Sequence, residues 1–300
     1  MKTIDTGPGS AADAGVPTTD TLPRAAPTGP LNGSAAATDG IEHNADASQR
    51  LGRLTGVLYL VIAALGMFAG SVSTGLVVPG DPAATAEKAL GSLALVRASL
   101  AAWIVVLAAD IAVAATLFVL LKPVGATLSL LAASFRLVYA AIQGVNLLNL
   151  FNAVFVLTDP TAGSGYAAGQ ANALALFSLE AFGTGFRLGL TFFGLHLLVL
   201  GYLFFASRYV PWVIGVLVVA AGIGYSADSV GRFFVPGYSA LATALLLTPA
   251  TIGELALTLW LLVRGIDLRQ GAATGPSLGA RSISADTHTT QLRGATGGTQ

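Results

Sequence analysis

Two charged residues lie symmetrically about a proline in an otherwise apolar part of the sequence. Asp110 comes 13 residues before Pro123, and Arg136 comes 13 residues after it. Each is the only formal charge in its apolar stretch, 98–121 for the acid and 124–157 for the base. Opposite charges at matched distances from a turn would meet at one depth on neighbouring helices, where they can pair or relay a proton. We therefore expect a direct salt bridge between Asp110 and Arg136.

The apolar stretches that carry these charges are long enough to cross a membrane, since about 20 residues of helix span the hydrocarbon core. The chain is 54% hydrophobic and only 10% charged, against about 25% charged residues in a soluble domain. Six stretches qualify as spans: 54–78, 98–121, 124–157, 188–206, 211–230 and 238–263. We predict an all-α polytopic integral membrane protein, a six-helix transmembrane bundle with disordered tails, with five or seven spans as the alternatives.

The two ends of the chain differ in composition from the middle. Residues 1–49 and 267–300 are rich in small and polar residues, and such segments offer too little apolar surface to offset the entropy of ordering. We predict disordered tails there, with docking segments as the alternative, around a transmembrane domain at 50–266. The N-terminal segment also lacks the apolar run of a secretory signal peptide.

Lys and Arg residues near the span ends predict the orientation. With six spans both termini share one side, and that side carries Arg50, Arg53, Lys122, Arg208, Arg264 and Arg269. The other side carries Lys88, Arg97 and Arg232. Because cytoplasmic loops carry the excess of positive charge, both termini should be cytoplasmic. The connection 158–187 then faces outward, and 171–180 within it is predicted to form an interfacial or membrane-dipping helix.

Counting residues from the span ends places four ionisable residues in the middle third of the bilayer: Asp110, Arg136, His196 and Glu254. An outer set lies nearer the opposite surface: Glu180, Arg187, Asp228 and Arg232. Ionisable residues inside a membrane are costly, so they usually pair or mark a function. We expect the four central residues to form one polar cluster, with Glu254 as a second acceptor for Arg136.

The third span adds uncharged polar residues to this cluster. At 100° per residue, Arg136, Tyr139, Gln143 and Asn146 fall on one face of the helix. Either the amides hydrogen bond across helices and hold the packing, or they line the wall of a polar cavity. The sequence leaves both interpretations open.

Two functional interpretations follow. In the first, the polar interior binds or conducts a small molecule, a lipid or a proton, and the candidate residues are Asp110, Arg136, Gln143, Asn146, His196, Asp228 and Glu254. In the second, the chain is a structural or accessory membrane protein whose buried charges only fix helix packing. Among the four central residues, Glu254 is the strongest candidate for a function, because Pro249 and Gly253 precede it. These two residues can kink the helix and free backbone carbonyl groups.

The sequence lacks the familiar motifs of catalysis and cofactor binding, so it does not support an enzyme. The sequence has no H-E-x-x-H, P-loop or dinucleotide fingerprint, so we assign no catalytic residue and no cofactor. It has no cysteine, and one His within the spans, which argues against a metal site. Zero formal net charge gives no reason to expect nucleic acid as a partner. The expected partners are the lipid bilayer and a small molecule of unknown identity, and the oligomeric state is unspecified.

Two Gly-x-x-x-Gly pairs occur in or next to the first span, at Gly52–Gly56 where it begins and at Gly66–Gly70 in its middle. Such pairs allow two helices to approach closely. In a chain with 36 glycines the spacing alone is weak support for a contact.

Several segments resemble those of a known family. They read RLTGVLYL at 53–60, ASFRLV at 133–138, FFGLHLLVLGYL at 192–203, GYSADS at 224–229 and GELALTLWLLVRG at 253–265. With them the sequence, from about residue 52 to 265, resembles the uncharacterised bacterial membrane family catalogued as domain of unknown function 4386. The resemblance implies a multi-pass protein of the inner (plasma) membrane and implies no activity.

Overall fold

The computed structural model describes residues 33–159, 165–167 and 169–266, with side chains from residue 46 onward. These residues form seven helices and no strand: α1 Gly33–Leu76, α2 Pro82–Gly91, α3 Leu93–Leu121, α4 Ala126–Thr158, α5 Gln170–Ser207, α6 Trp212–Phe234 and α7 Ala240–Arg264. All except α2 contain a stretch long and apolar enough to cross a membrane. The prediction of an all-α protein with six spans is confirmed.

The first helix begins before the predicted boundary at residue 49. A helix begins at Gly33, inside the segment predicted as the N-terminal tail. The chain divides at residue 42, and the bundle described below is formed by residues after that point. Residues 1–32 and 267–300 lie outside the described residues, so the predicted disorder of the tails stays a prediction.

Capping residues and prolines set several helix boundaries. Asp81 caps α2 by accepting a hydrogen bond from the backbone N–H of Ala84 at 2.9 Å, and Pro82 occupies the first turn. Ser239 caps α7 in the same way. Pro211 is the N-cap residue of α6.

The segment 171–180 is helical, as predicted, but it is the first part of α5 and not a separate helix in a connection. No proline interrupts the helix, and Phe182 packs edge to face on Trp103 of α3 with the ring centroids 5.9 Å apart, so the helix runs through the predicted loop. Its 38 residues extend about 57 Å, well beyond the hydrocarbon core of about 30 Å. The helix is therefore too long to lie wholly within the membrane core.

Glycine brings α1 and α7 together at one of the two predicted pairs. A Cβ added to Gly52 would lie 2.5 Å from the backbone N of Ile266, and one added to Gly56 would lie 2.5 Å from that of Leu262. At Gly66 and Gly70 a Cβ would meet nothing within 4 Å. The first pair is thus a helix contact, and the second leaves open space beside α1.

Helices α3 to α7 pack in chain order, α3 on α4, α4 on α5, α5 on α6 and α6 on α7, whereas the short α2 packs mainly on α5. Two apolar clusters fill the bundle. One surrounds Leu117, Leu197 and Leu261, and the other surrounds Trp103 and Phe182. Polar side chains lie between and beside these clusters, and their positions follow from this order of packing.

Candidate functional site

Arg136 is the centre of a buried group that we call the central cluster: Tyr59, Asp110, Arg136 and His196. Arg136 Nη2 donates a hydrogen bond to Asp110 Oδ1 at 2.6 Å, and each side chain is 1% exposed. Arg136 Nη1 donates to Tyr59 Oη at 2.8 Å and contacts His196 Nε2 at 3.3 Å. The predicted salt bridge between Asp110 and Arg136 is confirmed, and helices α1, α3, α4 and α5 all contribute to its surroundings.

The tautomer of His196 follows from its two partners. A guanidinium can only donate, so His196 Nε2 must accept from Arg136. The other ring nitrogen, Nδ1, lies 2.8 Å from the carbonyl oxygen of Ala132 and therefore carries the proton that it donates. Both nitrogens of His196 are thus used within the protein, as expected for a hydrogen-bonded core histidine.

Two aromatic rings cover the guanidinium of Arg136. Its Cζ lies 4.8 Å from the ring centroid of Tyr59 and 5.2 Å from that of Phe193, within the range of cation–π attraction. Arg136 Nε and Asp110 Oδ2 have no hydrogen-bond partner among the described residues. Sequence reasoning missed Tyr59 and Phe193, since an aromatic residue in an apolar span gives no sign of which helix faces it.

Glu254 lies beside the central cluster but does not join it by a hydrogen bond. Its Oε2 accepts from Tyr225 Oη at 2.6 Å, so the expectation that Glu254 is a second acceptor for Arg136 is wrong. Glu254 is connected to the central cluster through aromatic rings, because the ring of Tyr225 packs on that of Phe193 with the centroids 5.6 Å apart. Three of the four predicted central residues are therefore in direct contact, and the fourth is paired with a tyrosine of α6.

The predicted polar stripe of α4 faces α5. Gln143 Nε2 donates to the carbonyl oxygen of Phe186 at 2.9 Å, and Asn146 Nδ2 donates to that of Phe182 at 2.9 Å. A Cβ added to Gly189 of α5 would lie 2.5 Å from Gln143 Nε2, so the missing side chain makes room for the amide. These contacts favour the interpretation of the stripe as hydrogen bonds that hold two helices together.

The outer set lies in the first half of α5, with Glu180 and Arg187, and near the C-terminal end of α6, with Asp228 and Arg232. Arg232 Nε donates to Asp228 Oδ2 at 3.3 Å, and Arg232 Nη2 donates to Thr243 Oγ1. Asp228 is 3% exposed, and its Oδ1 has no partner among the described residues. Arg187 is half-buried, and its Nη1 donates a long hydrogen bond of 3.4 Å to the carbonyl of Gly183 on its own helix.

Two cavities adjoin this outer set. The first, which we call the aromatic cavity, has a volume of about 550 Å³ and lies between α1, α3 and α5. Its lining consists of Gly70, Ser73, Thr74, Val77, Trp103, Leu179, Glu180, Phe182, Gly183, Thr184, Phe186 and Arg187. The second, the arginine cavity, has a volume of about 500 Å³ and is lined by Arg187, Arg232, Phe233, Phe234, Val235, Pro236, Gly237 and Tyr238. Arg187 lines both.

The central residues do not open onto these spaces. Asp110, Arg136, His196 and Glu254 are absent from the lining of both cavities and of a third, at 46–54 of α1. In the described part of the chain, no three His, Asp or Glu side chains converge as metal ligands. The central residues are thus hydrogen-bonded to one another and line none of these three cavities, two of which adjoin the outer set.

Comparison with known proteins identifies a family for this chain but no activity. Residues 54–265 match the model of a family described as a domain of unknown function, DUF4386. An uncharacterised protein of Archaeoglobus fulgidus is 32% identical over 165 residues, which cover 55% of this chain and 82% of that relative. No solved structure matches the chain. The family match covers all six spans except the first residues of α1, so this chain is a multi-pass membrane protein of the DUF4386 family.

Proposed function

We propose that this protein binds an amphipathic ligand in the aromatic cavity, with the apolar part of the ligand against Trp103, Phe182 and Phe186. The observation that carries the proposal is the cavity itself. Its volume of about 550 Å³ lies in the range of ligand sites, and such sites combine apolar walls with a few polar groups. Here Ser73, Thr74 and Arg187 are those polar groups.

The depth of the cavity supports a ligand drawn from the lipid phase. Trp103 lies 18 residues before the end of α3, or about 27 Å along the helix. Arg187 lies 20 residues before the end of α5, or about 30 Å. The hydrocarbon core is about 30 Å thick, so both residues lie near the boundary between acyl chains and headgroups of one leaflet. An amphipathic molecule has its polar head and its chain on either side of this boundary.

We also propose that the protein lies in the plasma membrane of a bacterium with both termini in the cytoplasm. The excess of Lys and Arg at the ends of the spans on the terminal side supports this orientation. In that orientation the aromatic cavity belongs to the outer leaflet. Asp228, one of the sequence candidates, is then near the outer headgroups and not in the middle of the membrane.

The central cluster has a different role in this proposal. Asp110, Arg136 and His196 are at most 1% exposed, and their mutual hydrogen bonds support a purely structural part. Gln143 and Asn146 use their amides between α4 and α5 and support the same assignment. The closed geometry thus favours the accessory interpretation for the centre and ligand binding for the outer set.

Fluorescence of Trp103 tests the proposed ligand site. Replacing the two other tryptophans, Trp212→Phe and Trp260→Phe, leaves Trp103 as the single reporter. Trp103 is only 6% exposed, so bulk lipid cannot touch it freely. We expect lipids with brominated chains, added as phosphatidic acid and as diacylglycerol, to quench it saturably at low mole fraction. A protein with Trp212 alone, which is 71% exposed, should instead show gradual quenching without saturation.

A matched pair of glycine substitutions in α1 locates the quencher. Gly70 lines the aromatic cavity and Gly66 does not, while a Cβ at either position meets nothing within 4 Å. Gly70→Leu should fill the cavity and abolish saturable quenching, and Gly66→Leu should leave it unchanged. Equal quenching in both variants, or no saturable quenching in the parent, would show that the cavity holds no such ligand.

A further inference from the structure

Arg187 and Arg232 come from different helices and line one cavity. Arg187 lies on α5 and Arg232 on α6, and both contribute to the arginine cavity of about 500 Å³. The guanidinium groups are near enough to repel each other electrostatically. Two like charges facing one space favour an anion between them, because a guanidinium presents a fork of donors that matches phosphate and carboxylate.

The lining of the arginine cavity carries more positive than negative charge. Arg232 forms an ion pair with Asp228, whereas Arg187 forms none with any carboxylate of the described residues; its hydrogen bond is to a backbone carbonyl of its own helix. Asp228 attracts Arg187 but does not bond it. Two cations and one anion leave one positive charge at the cavity. Glu180, the other nearby acid, lines the aromatic cavity but not the arginine cavity.

The surrounding contacts hold the site in place before any ligand arrives. Ser229 Oγ of α6 donates to the carbonyl oxygen of Arg187 at 2.9 Å and so ties α5 to α6 at this level. Arg232 is held by Asp228 and Thr243, and its Cζ lies 5.6 Å from the ring centroid of Tyr238. A preorganised site loses less side-chain entropy on binding.

The two arginines lie at one depth by independent counts. Arg187 is 20 residues from the end of α5 at Ser207, and Arg232 is 20 residues from the start of α6 at Trp212. Both distances correspond to about 30 Å of helix, which is the thickness of the hydrocarbon core. The turn between the two helices lies at one membrane surface, so the arginines lie where the headgroups of the other leaflet begin.

We infer that Arg187 and Arg232 bind the anionic head, a phosphate or a carboxylate, of a molecule whose chain lies in the aromatic cavity. The inference rests on the proposed function and adds the chemical class of the ligand to it. Arg187 connects the two spaces because it lines both. The arginine cavity receives the head, and the rings around Trp103 receive the chain.

Matched ligand pairs test the inference on the protein with Trp103 as its single tryptophan. Brominated phosphatidic acid differs from brominated diacylglycerol by the phosphate alone. A brominated fatty acid differs from its methyl ester in having a charged carboxylate where the ester is neutral. We expect the anionic member of at least one pair to quench Trp103 at about tenfold lower concentration. A charge-assisted hydrogen bond contributes enough for such a factor. Arg187→Gln and Arg232→Gln should each remove this preference.

Arg97→Gln is the control for surface charge, since Arg97 is exposed on α3 and lines neither cavity. It should keep the full preference. Inorganic phosphate as competitor separates the sources: displacement of the brominated anion would support an anion site open to free phosphate, and no displacement would support a headgroup held by its chain.

The possible failures are distinguishable. If the anionic and neutral members quench Trp103 equally, and Arg187→Gln changes neither, the anion site is overturned while the proposed ligand site stands. If no member quenches Trp103 saturably, the proposed function itself fails. If Arg97→Gln removes the preference as fully as Arg187→Gln, the preference comes from surface charge and the inference is wrong.

Discussion

Removing one charge of the central pair should destabilise the protein more than removing both. The perturbation is a set of three variants: Asp110→Asn, Arg136→Gln and the two together. Each single change leaves a charge that is 1% exposed without its partner inside a membrane-spanning helix. Breaking a buried ion pair in this way costs about 3–5 kcal/mol.

The cost of the double change can be worked from the contacts of Arg136. It makes three side-chain contacts across helices, to Tyr59, Asp110 and His196. A hydrogen bond between membrane helices contributes about 0.6 kcal/mol on average, so the loss of all three costs about 2 kcal/mol. No charge is left unpaired in the double variant. It should therefore be more stable than either single variant by about 1–3 kcal/mol.

The assay is equilibrium unfolding by sodium dodecyl sulfate in mixed micelles, followed by circular dichroism. Arg97→Gln is the matched control, because Arg97 is exposed on α3 and its loss should leave the free energy of unfolding unchanged. Two results would refute the reasoning that the two charges stabilise each other. One is that the losses of stability in the two single variants add up to the loss in the double variant. The other is that the double variant is less stable than both single variants.

Three further predictions follow from the packing. Gly56→Leu should lower the melting temperature in detergent and Gly66→Leu should not, since a Cβ at Gly56 would lie 2.5 Å from the backbone of Leu262 and one at Gly66 in open space; equal melting would contradict the contact of α1 with α7. Asn146→Leu should reduce the free energy of unfolding by about 1 kcal/mol, because the carbonyl of Phe182 loses its side-chain donor. The exposed Asn152 gives the control Asn152→Leu, and equal effects of the two would argue against the α4–α5 hydrogen bond. Alkaline phosphatase fused after Gly265 should be inactive and one fused in the turn before Ser239 active, and the reverse pattern would overturn the proposed orientation.

The sequence was sufficient for the central pair but not for its neighbours. Asp110 and Arg136 were predictable because Pro123 fixes a hairpin between two helices, and equal spacing from a hairpin means equal depth. Tyr59 and Phe193 were not, since their contact with Arg136 depends on which helices surround α4. That choice is made by packing over the whole bundle, and a span of apolar residues carries little sign of it.

The partner of Glu254 shows that the rotation of a helix about its own axis cannot be predicted from the sequence alone. A Cβ added to Gly253 would lie 2.7 Å from the carbonyl oxygen of Leu217, so the missing side chain lets α7 approach the backbone of α6. The next residue, Glu254, then meets Tyr225 of α6. The sequence shows that Gly253 can kink or pack, but it does not show which neighbour it packs against.

The helix α5 is longer than the predicted span, and this difference changes where the candidate site lies. A span of 188–206 leaves Glu180 and Arg187 in a loop, where charges need no explanation. The continuous helix Gln170–Ser207 instead places Arg187 beside Trp103 and Phe186 in the wall of a cavity. Glycines at 183 and 185 lower helix propensity, which favours a break in the sequence pattern, and burial of Phe182 against α3 overrides that preference.

The separation of a closed centre from an open outer site leads to a last prediction, that stability and ligand binding can be altered independently. Trp103 lies seven residues from Asp110 on α3, about 10 Å along the helix, and sites this far apart without shared partners couple weakly. Arg136→Gln should therefore lower the free energy of unfolding and leave saturable quenching of Trp103 intact in the folded protein. Arg187→Gln should weaken quenching by the brominated anion and leave unfolding unchanged, because its hydrogen bond is a long one to its own helix. The two effects should add in the double variant. If Arg136→Gln abolished the quenching of Trp103 under conditions where circular dichroism shows a folded protein, the central cluster would be part of the ligand path and the assignment of a structural role to it would be wrong.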